Sequence, residues 1–266
     1  MKALTGIIIC IFAIIAGAAE HSTDTYKTVG DRQLQMHIVS PDGHSLSARV
    51  PAVVYFHGGG WRGGSPESGF PYAEALAEHG IVTLAVEYRL ADTVTLDEII
   101  KDAGSAVRWT RERAHRLGID PGKIIALGHS AGGHLAASTA MLRGFDEADD
   151  YTRASPRPNA LVLMAPYPAT EETAGEFLPA GADVADYEPR LNVNRRVPPT
   201  LIIQGDADTL VAPAESSAYN DALVAARVDS SLFLIDGVGH RFQEEGAKAT
   251  VSERIVQFAR DLGYLD

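Results

Sequence analysis

Apolar runs of strand length recur along this chain. Between them lie longer stretches whose apolar positions return at helical spacing. Residues 51–56, 81–86, 123–127, 160–164, 200–203 and 231–235 are apolar almost throughout, with little alternation. Strands buried on both faces of a sheet read this way. The intervening stretches 71–79, 96–117, 133–142, 213–228 and 251–262 predict helices; in the second, Ile99, Ile100, Ala103, Ala106, Val107 and Thr110 fall near one face. Residues 34–39 alternate only weakly and end at the turn signal Pro41-Asp42-Gly43, whose flanks predict an opening antiparallel hairpin. Strands alternating with helices predict an α/β fold, a mostly parallel central sheet covered by helices on both faces. Residues 170–197 break this rhythm. They carry Gly, Pro and the acids Glu171, Glu172, Glu176, Asp183, Asp186 and Glu188, and predict a solvated surface insertion near the functional end of the sheet.

The N-terminus follows another pattern. Lys2 precedes a nearly unbroken apolar run over 4–16, then the small residues Ala16-Gly17-Ala18-Ala19 and a polar stretch. This reads as a secretory signal peptide over 1–19, with 20–266 as one mature domain, secreted or periplasmic and off the membrane once cleaved. The run is shorter than the ~20 residues that span a bilayer. Cys10, the sole cysteine, lies inside it. The mature domain therefore has no disulfide framework, no thiolate metal site and no cysteine nucleophile. A net charge of −12 argues against a nucleic-acid partner, which calls for clustered Lys and Arg. Neither a metal nor a cofactor is expected, and composition says nothing of oligomeric state.

Four polar features fall where predicted strands end: His57-Gly58-Gly59-Gly60-Trp61, Gly128-His129-Ser130-Ala131-Gly132, the acids Asp206 and Asp208, and His240. In parallel sheets the chemistry sits at those ends. A G-x-S-x-G pentapeptide between strand and helix forces a turn so sharp that its serine is held out at a helix N-terminus. A serine hydroxyl needs a base that titrates near neutrality, which selects histidine, and a carboxylate to fix the imidazole tautomer. Among nine histidines, His240 lies late in the chain, straight after a strand and beside glycine, and is the candidate base. Asp206 and Asp208 are both candidates for the acid. The order Ser130, Asp, His240 suits this chemistry. An oxyanion needs preorganised donors; the glycine run after His57 offers unshielded N–H groups and Ala131 another. His57 is expected to brace that loop. Trp61, His129 and Tyr167 are candidate substrate contacts, with Trp61 as a pocket roof or a core residue.

Taken together, His57-Gly58-Gly59-Gly60-Trp61, Glu87-Tyr88-Arg89, Gly118-Ile119-Asp120-Pro121, Gly128-His129-Ser130-Ala131-Gly132-Gly133-His134-Leu135, the stretch from Gly205 to Val211, and Gly239-His240 resemble the esterase/lipase branch of the α/β-hydrolases. The likeness is greatest to secreted bacterial feruloyl and acetyl-xylan esterase-like proteins, and it covers nearly the whole mature chain. The resemblance implies an α/β-hydrolase fold. It implies Asp208 as the acid, because the family's acid precedes x-x-Val, and Gly59, Gly60 and Ala131 as oxyanion donors. It implies a serine esterase acting through an acyl-enzyme on a small-molecule or carbohydrate ester. An amide hydrolase of the arylformamidase type shares the His-Gly-Gly-x-Trp and Gly-His-Ser-Ala-Gly patterns and is the alternative, ahead of a non-catalytic binding protein. Two departures from hormone-sensitive-lipase-like esterases stand out. Too little chain precedes His57 for a helical cap, and His129 replaces the Asp of their nucleophile motif.

Overall fold

The structure, a computed structural model, describes residues 19–147, 150 and 153–266. The expected leader over 1–18, with Cys10, lies outside the described residues. Eight strands form one sheet: β1 (Glu20–Val29), β2 (Arg32–Ser40), β3 (Val50–Phe56), β4 (Val82–Val86), β5 (Ile119–His129), β6 (Ala160–Met164), β7 (Thr200–Gly205) and β8 (Ser230–Ile235). Their order is β1-β2-β4-β3-β5-β6-β7-β8. β1 pairs antiparallel with β2 and β2 with β4; all other pairs are parallel.

The apolar runs β3 to β7 are strands because both of their faces are covered, while β8 at the edge is only partly buried. Along β3, Ala52, Val54 and Phe56 enter one core with the buried residues of α2 (Leu96–Glu112), α3 (Ala131–Met141) and α5 (Pro213–Ala225). Val53 and Tyr55 alternate into a second core with α1 (Phe70–Ala77) and α6 (Ala247–Asp261). A period of two thus sends an all-apolar strand into two separate cores. This is the predicted α/β layering. α2 ends five residues before the predicted limit. The chain then turns through Gly118, whose φ of 63° lets the Ile119 N–H reach the Ala114 carbonyl at 3.0 Å.

The opening hairpin differs from expectation. Its turn is at Gly30-Asp31, between β1 and β2, and the Pro41-Asp42-Gly43 turn only ends β2. β1 is a polar edge strand exposed over most of its length, so it carries no apolar alternation to read. It is tied down instead by charge. The Lys27 ammonium lies 2.7 Å from the fully buried Asp102 carboxylate of α2, which the Arg89 guanidinium also grips at 2.7 and 2.8 Å. Removing the shared anion takes a close partner from both cations but leaves Lys27 with Glu147 (2.9 Å) and Arg89 with Glu98 (3.0 Å), a change that costs about 1–3 kcal/mol. Asp102→Ala is therefore expected to lower the urea midpoint by that equivalent. A loss under ~1 kcal/mol would show that the two cations are satisfied without it.

The insertion folds as short helical turns: α4 (Glu171–Ala174) and three 3-10 turns, Gly175–Phe177, Val184–Tyr187 and Pro189–Asn192. It is seated on the domain, with Ala174, Phe177, Tyr187 and Glu188 buried. The Glu188 carboxylate accepts the N–H groups of Ala169 (2.6 Å) and Arg190 (2.9 Å), and the Tyr187 carbonyl accepts from the His134 ring at 2.7 Å. Its other acids line the solvent side. Among the described residues no helix is long and apolar enough to cross a membrane.

Candidate active site

Ser130 follows β5 at the tight turn the pentapeptide predicts. Its φ of 55° and ψ of −121° are outside the usual regions for a side-chain-bearing residue. The turn is held by the backbone. The Ser130 N–H donates to the Met164 carbonyl (2.8 Å), and its carbonyl accepts from His134 (3.1 Å) and Tyr167 (3.0 Å). The close crossing of strand and helix explains the flanking glycines. A Cβ on Gly128 would lie 2.0 Å from the Gly132 carbonyl oxygen, and one on Gly132 would lie 2.0 Å from that of Phe56.

β7 and β8 deliver the other two groups. Gly205 lets the loops after these strands meet, since a Cβ there would lie 2.0 Å from the Val238 carbonyl oxygen. His240 Nε2 is 2.9 Å from Ser130 Oγ, and its Nδ1 is 2.8 Å from Asp208 Oδ2. Of the two acids left open by the residues alone, Asp208 thus reaches the imidazole. Asp206 is exposed and accepts the Gly237 N–H at 2.7 Å, bracing the His240 loop from outside. Asp208 is buried, and burial alone pushes its carboxyl up. The N–H groups of Val211 and Leu210 (2.9 and 2.8 Å on Oδ1), the His240 ring and the Gln204 amide (2.9 Å on Oδ2) outweigh that and hold it below the ordinary carboxylate value. It is an anion across the neutral range.

The glycine loop after β3 is equally constrained. Gly59 has φ 129°, and a Cβ on it would lie 2.1 Å from the Gly63 carbonyl oxygen. Among the described residues the N–H groups of Gly59, Gly60 and Ala131 donate to no protein acceptor, which leaves them free for a ligand oxygen. His57 braces the loop as expected. Its Nδ1 donates to the Gly58 carbonyl (2.8 Å), its ring stacks on Tyr88 at 4.1 Å, and the Tyr88 hydroxyl donates to the His57 carbonyl (2.7 Å). Burial pushes its imidazole down.

Two of the expected substrate contacts are engaged by the protein itself. Trp61 is fully buried and packs among His134, Tyr167 and Phe177, with ring centroids 5.1–6.4 Å apart, so it is a core residue beneath the loop and not a roof. His129 spends its Nε2 on the His240 carbonyl (2.7 Å) and lies against the His240 and Phe242 rings, so it supports the base loop. Tyr167 is half-buried beside the nucleophile turn and keeps its candidacy. Gln204 and Tyr88 have roles the sequence did not assign. Each stands just past an apolar run, and Tyr88 lies in the Glu87-Tyr88-Arg89 motif. Among the described residues, no three His, Asp or Glu side chains are grouped as a metal site.

The BD-FAE family matches residues 36–166 of the chain. Carboxylesterase NlhH of Mycobacterium tuberculosis is 42% identical over 94 residues, 35% of this chain and 30% of that protein's length, so the alignment spans under a third of that relative. An arylesterase of Saccharolobus solfataricus is 26% identical over 231 residues, 80% of this chain and 74% of its own. Esterase 2 of Thermogutta terrifontis superposes with a TM-score of 0.86 at 31% identity, covering 94% of this chain and 97% of that one. That esterase has been seen phosphonylated by cyclosarin and with propionate or butyrate bound.

Proposed function

From the premise that the chain belongs to the esterases of the α/β-hydrolase superfamily, we propose that it is a serine hydrolase of small-acyl carboxylic esters working through an acyl-enzyme on Ser130. One observation carries this reading: the unbroken relay from Ser130 Oγ through the His240 ring to Asp208, at 2.9 and 2.8 Å. His240 Nε2 takes the hydroxyl proton as Oγ bonds to the ester carbonyl carbon. The oxyanion that forms is met by the N–H groups of Gly59, Gly60 and Ala131. His240 then passes the proton to the departing alkoxide as the C–O bond breaks. Water repeats the sequence on the acyl-enzyme, releasing the acid and restoring Ser130. Asp208 keeps the proton on Nδ1 throughout and stabilises the transient imidazolium.

The acyl group is small and the alcohol is a carbohydrate. Trp61 and Phe177 are buried under the loop and take up space there, which favours a short acyl group over a chain of methylenes, each worth ~0.8 kcal/mol when removed from water. The bound propionate and butyrate of the Thermogutta esterase agree in size. The acidic, solvated side of the insertion suits sugar hydroxyls, with acetyl esters of carbohydrates as the substrates. The protein is exported, its leader cut near Ala19; β1 begins at Glu20, so that cut leaves the sheet whole.

On p-nitrophenyl esters, kcat/KM is expected to peak at about two to four acyl carbons and to fall beyond, by at most ~1–3 kcal/mol per methylene. A peak at about eight carbons would reveal a long apolar channel and contradict the small-acyl reading. Running acetyl, butyryl and feruloyl sugar esters beside N-formylkynurenine separates ester from amide hydrolysis. Faster turnover of the amide would move the chain to the arylformamidase class.

A further inference from the structure

We infer that His129 is a positioning residue for the proposed base: its ring N–H fixes the His240 main chain and couples that loop to the nucleophile turn and the oxyanion loop. The inference rests on the Ser130–His240 reading above. His129 is the last residue of β5 and adjoins Ser130, so the ladder that sets the nucleophile also sets this ring. Nε2 lies 2.7 Å from the His240 carbonyl oxygen. A carbonyl only accepts, so Nε2 bears the proton and Nδ1 carries the lone pair. That second nitrogen faces the start of the glycine loop, where a Cβ on Gly58 would lie only 2.9 Å away. Phe242 closes the remaining side edge-on at 5.6 Å. One imidazole therefore touches all three parts of the site.

The need for such a support is local. His240 sits in a turn outside any helix or strand. Its side chain is fixed by Asp208, but Asp208 constrains the ring and not the backbone that carries it. Two of the loop's other ties, from Gly237 to Asp206 and from Gly239 to Glu244, involve exposed acids, and a third, the Ala207 N–H on the Val238 carbonyl at 3.1 Å, holds it two residues upstream. The His129 bond is the tie made to the His240 carbonyl itself. Burial holds the His129 imidazole down to about 4, so it is neutral at working pH and places no positive charge beside a base that must become positive in turn. An Asp here, as in the hormone-sensitive-lipase-like motif, offers no N–H to that carbonyl.

The test compares His129→Phe, which keeps a flat ring and loses the donor, with His129→Gln, whose amide N–H falls near the position of Nε2. Steady-state kinetics on a short-chain p-nitrophenyl ester are joined to proton NMR of the downfield His240 Nδ1 resonance. His129→Phe is expected to lose about ten- to hundredfold in kcat at little-changed KM, as misplacing a catalytic group does, with the resonance shifted or broadened. His129→Gln is expected to stay within about threefold of wild type with the resonance restored. If His129→Phe does not fold, His129→Met, which also lacks the donor, carries the same expectation. Wild-type kcat and resonance in the donorless variant overturn the inference, as does equal impairment of the Phe and Gln variants, which would make packing the cause. Failure of the triad reading looks different: it would appear as turnover surviving the loss of the Ser130 hydroxyl.

Discussion

Ser130→Ala is expected to lower kcat/KM for a short-chain ester by about 10⁵–10⁶ while the protein keeps its melting temperature within a few degrees. The size follows from what the hydroxyl does. In the proposed mechanism it supplies the attacking oxygen, and without it the base and the oxyanion donors are left to promote only a poorly placed water. The intact fold follows from what the hydroxyl does not do. The strained turn is held by the Ser130 N–H on Met164 and by His134 and Tyr167 on the Ser130 carbonyl, all main-chain bonds that alanine keeps. Oγ itself contacts His240. Ester assays beside thermal unfolding check both halves. Turnover within tenfold of wild type would move the nucleophile elsewhere, and a collapsed melting temperature would mean the hydroxyl holds the elbow.

Asp208→Asn is expected to cost on the order of 10⁴ in kcat, and Asp206→Asn less than tenfold. An amide facing His240 Nδ1 at 2.8 Å presents either an N–H, which forces the imidazole proton onto Nε2, or an oxygen turned away from its other partners. The second arrangement is blocked. Oδ1 accepts the Leu210 and Val211 N–H groups at 2.8 and 2.9 Å, so the amide oxygen of the variant is drawn there and its NH₂ is aimed at the histidine. An Nε2 that carries a proton cannot take the one on Ser130. Asp206 makes no contact with the ring and braces the loop only through Gly237. Steady-state kinetics of the two variants at neutral pH decide between the acids. The opposite ranking would assign the role to Asp206.

Much of this was legible in the sequence because burial on two faces leaves a plain mark. The six all-apolar runs became β3 to β8, and the chemistry-bearing motifs fell at the C-terminal ends of strands among them. The β1–β2 edge resisted reading. β1 is polar on both sides, since it faces solvent for most of its length and is held by a buried Lys27–Asp102–Arg89 cluster whose members lie far apart in the chain. Periodicity sees no such pairing. In the site, Ser130, Asp208 and His240 were named from residue type, order and family likeness, and they lie within hydrogen-bonding distance of one another. Trp61 takes the core place, one of the two open to it, and His129 gives its Nε2 to the His240 carbonyl. A motif gives proximity to the nucleophile in the chain but not the direction of a side chain, and a residue beside a sharp turn points to either face of the sheet with equal ease. Gln204, fully buried beneath Asp208, showed only as a polar residue at the end of an apolar run; its amide donates to the Asp208 carboxylate and the Val211 carbonyl and accepts from the Ser216 hydroxyl, partners that lie apart from it in the chain.

The claim on which the rest depends is that Ser130 is the activated nucleophile. Its most direct test is covalent trapping with an organophosphonate, followed by tryptic digestion and fragmentation of the 124–143 peptide, which contains Ser130, Ser138 and Thr139. The account predicts one adduct per chain, on Ser130, formed in step with the loss of ester turnover and absent from Ser130→Ala. An adduct on any other residue, or full inactivation with Ser130 unmodified, would contradict it.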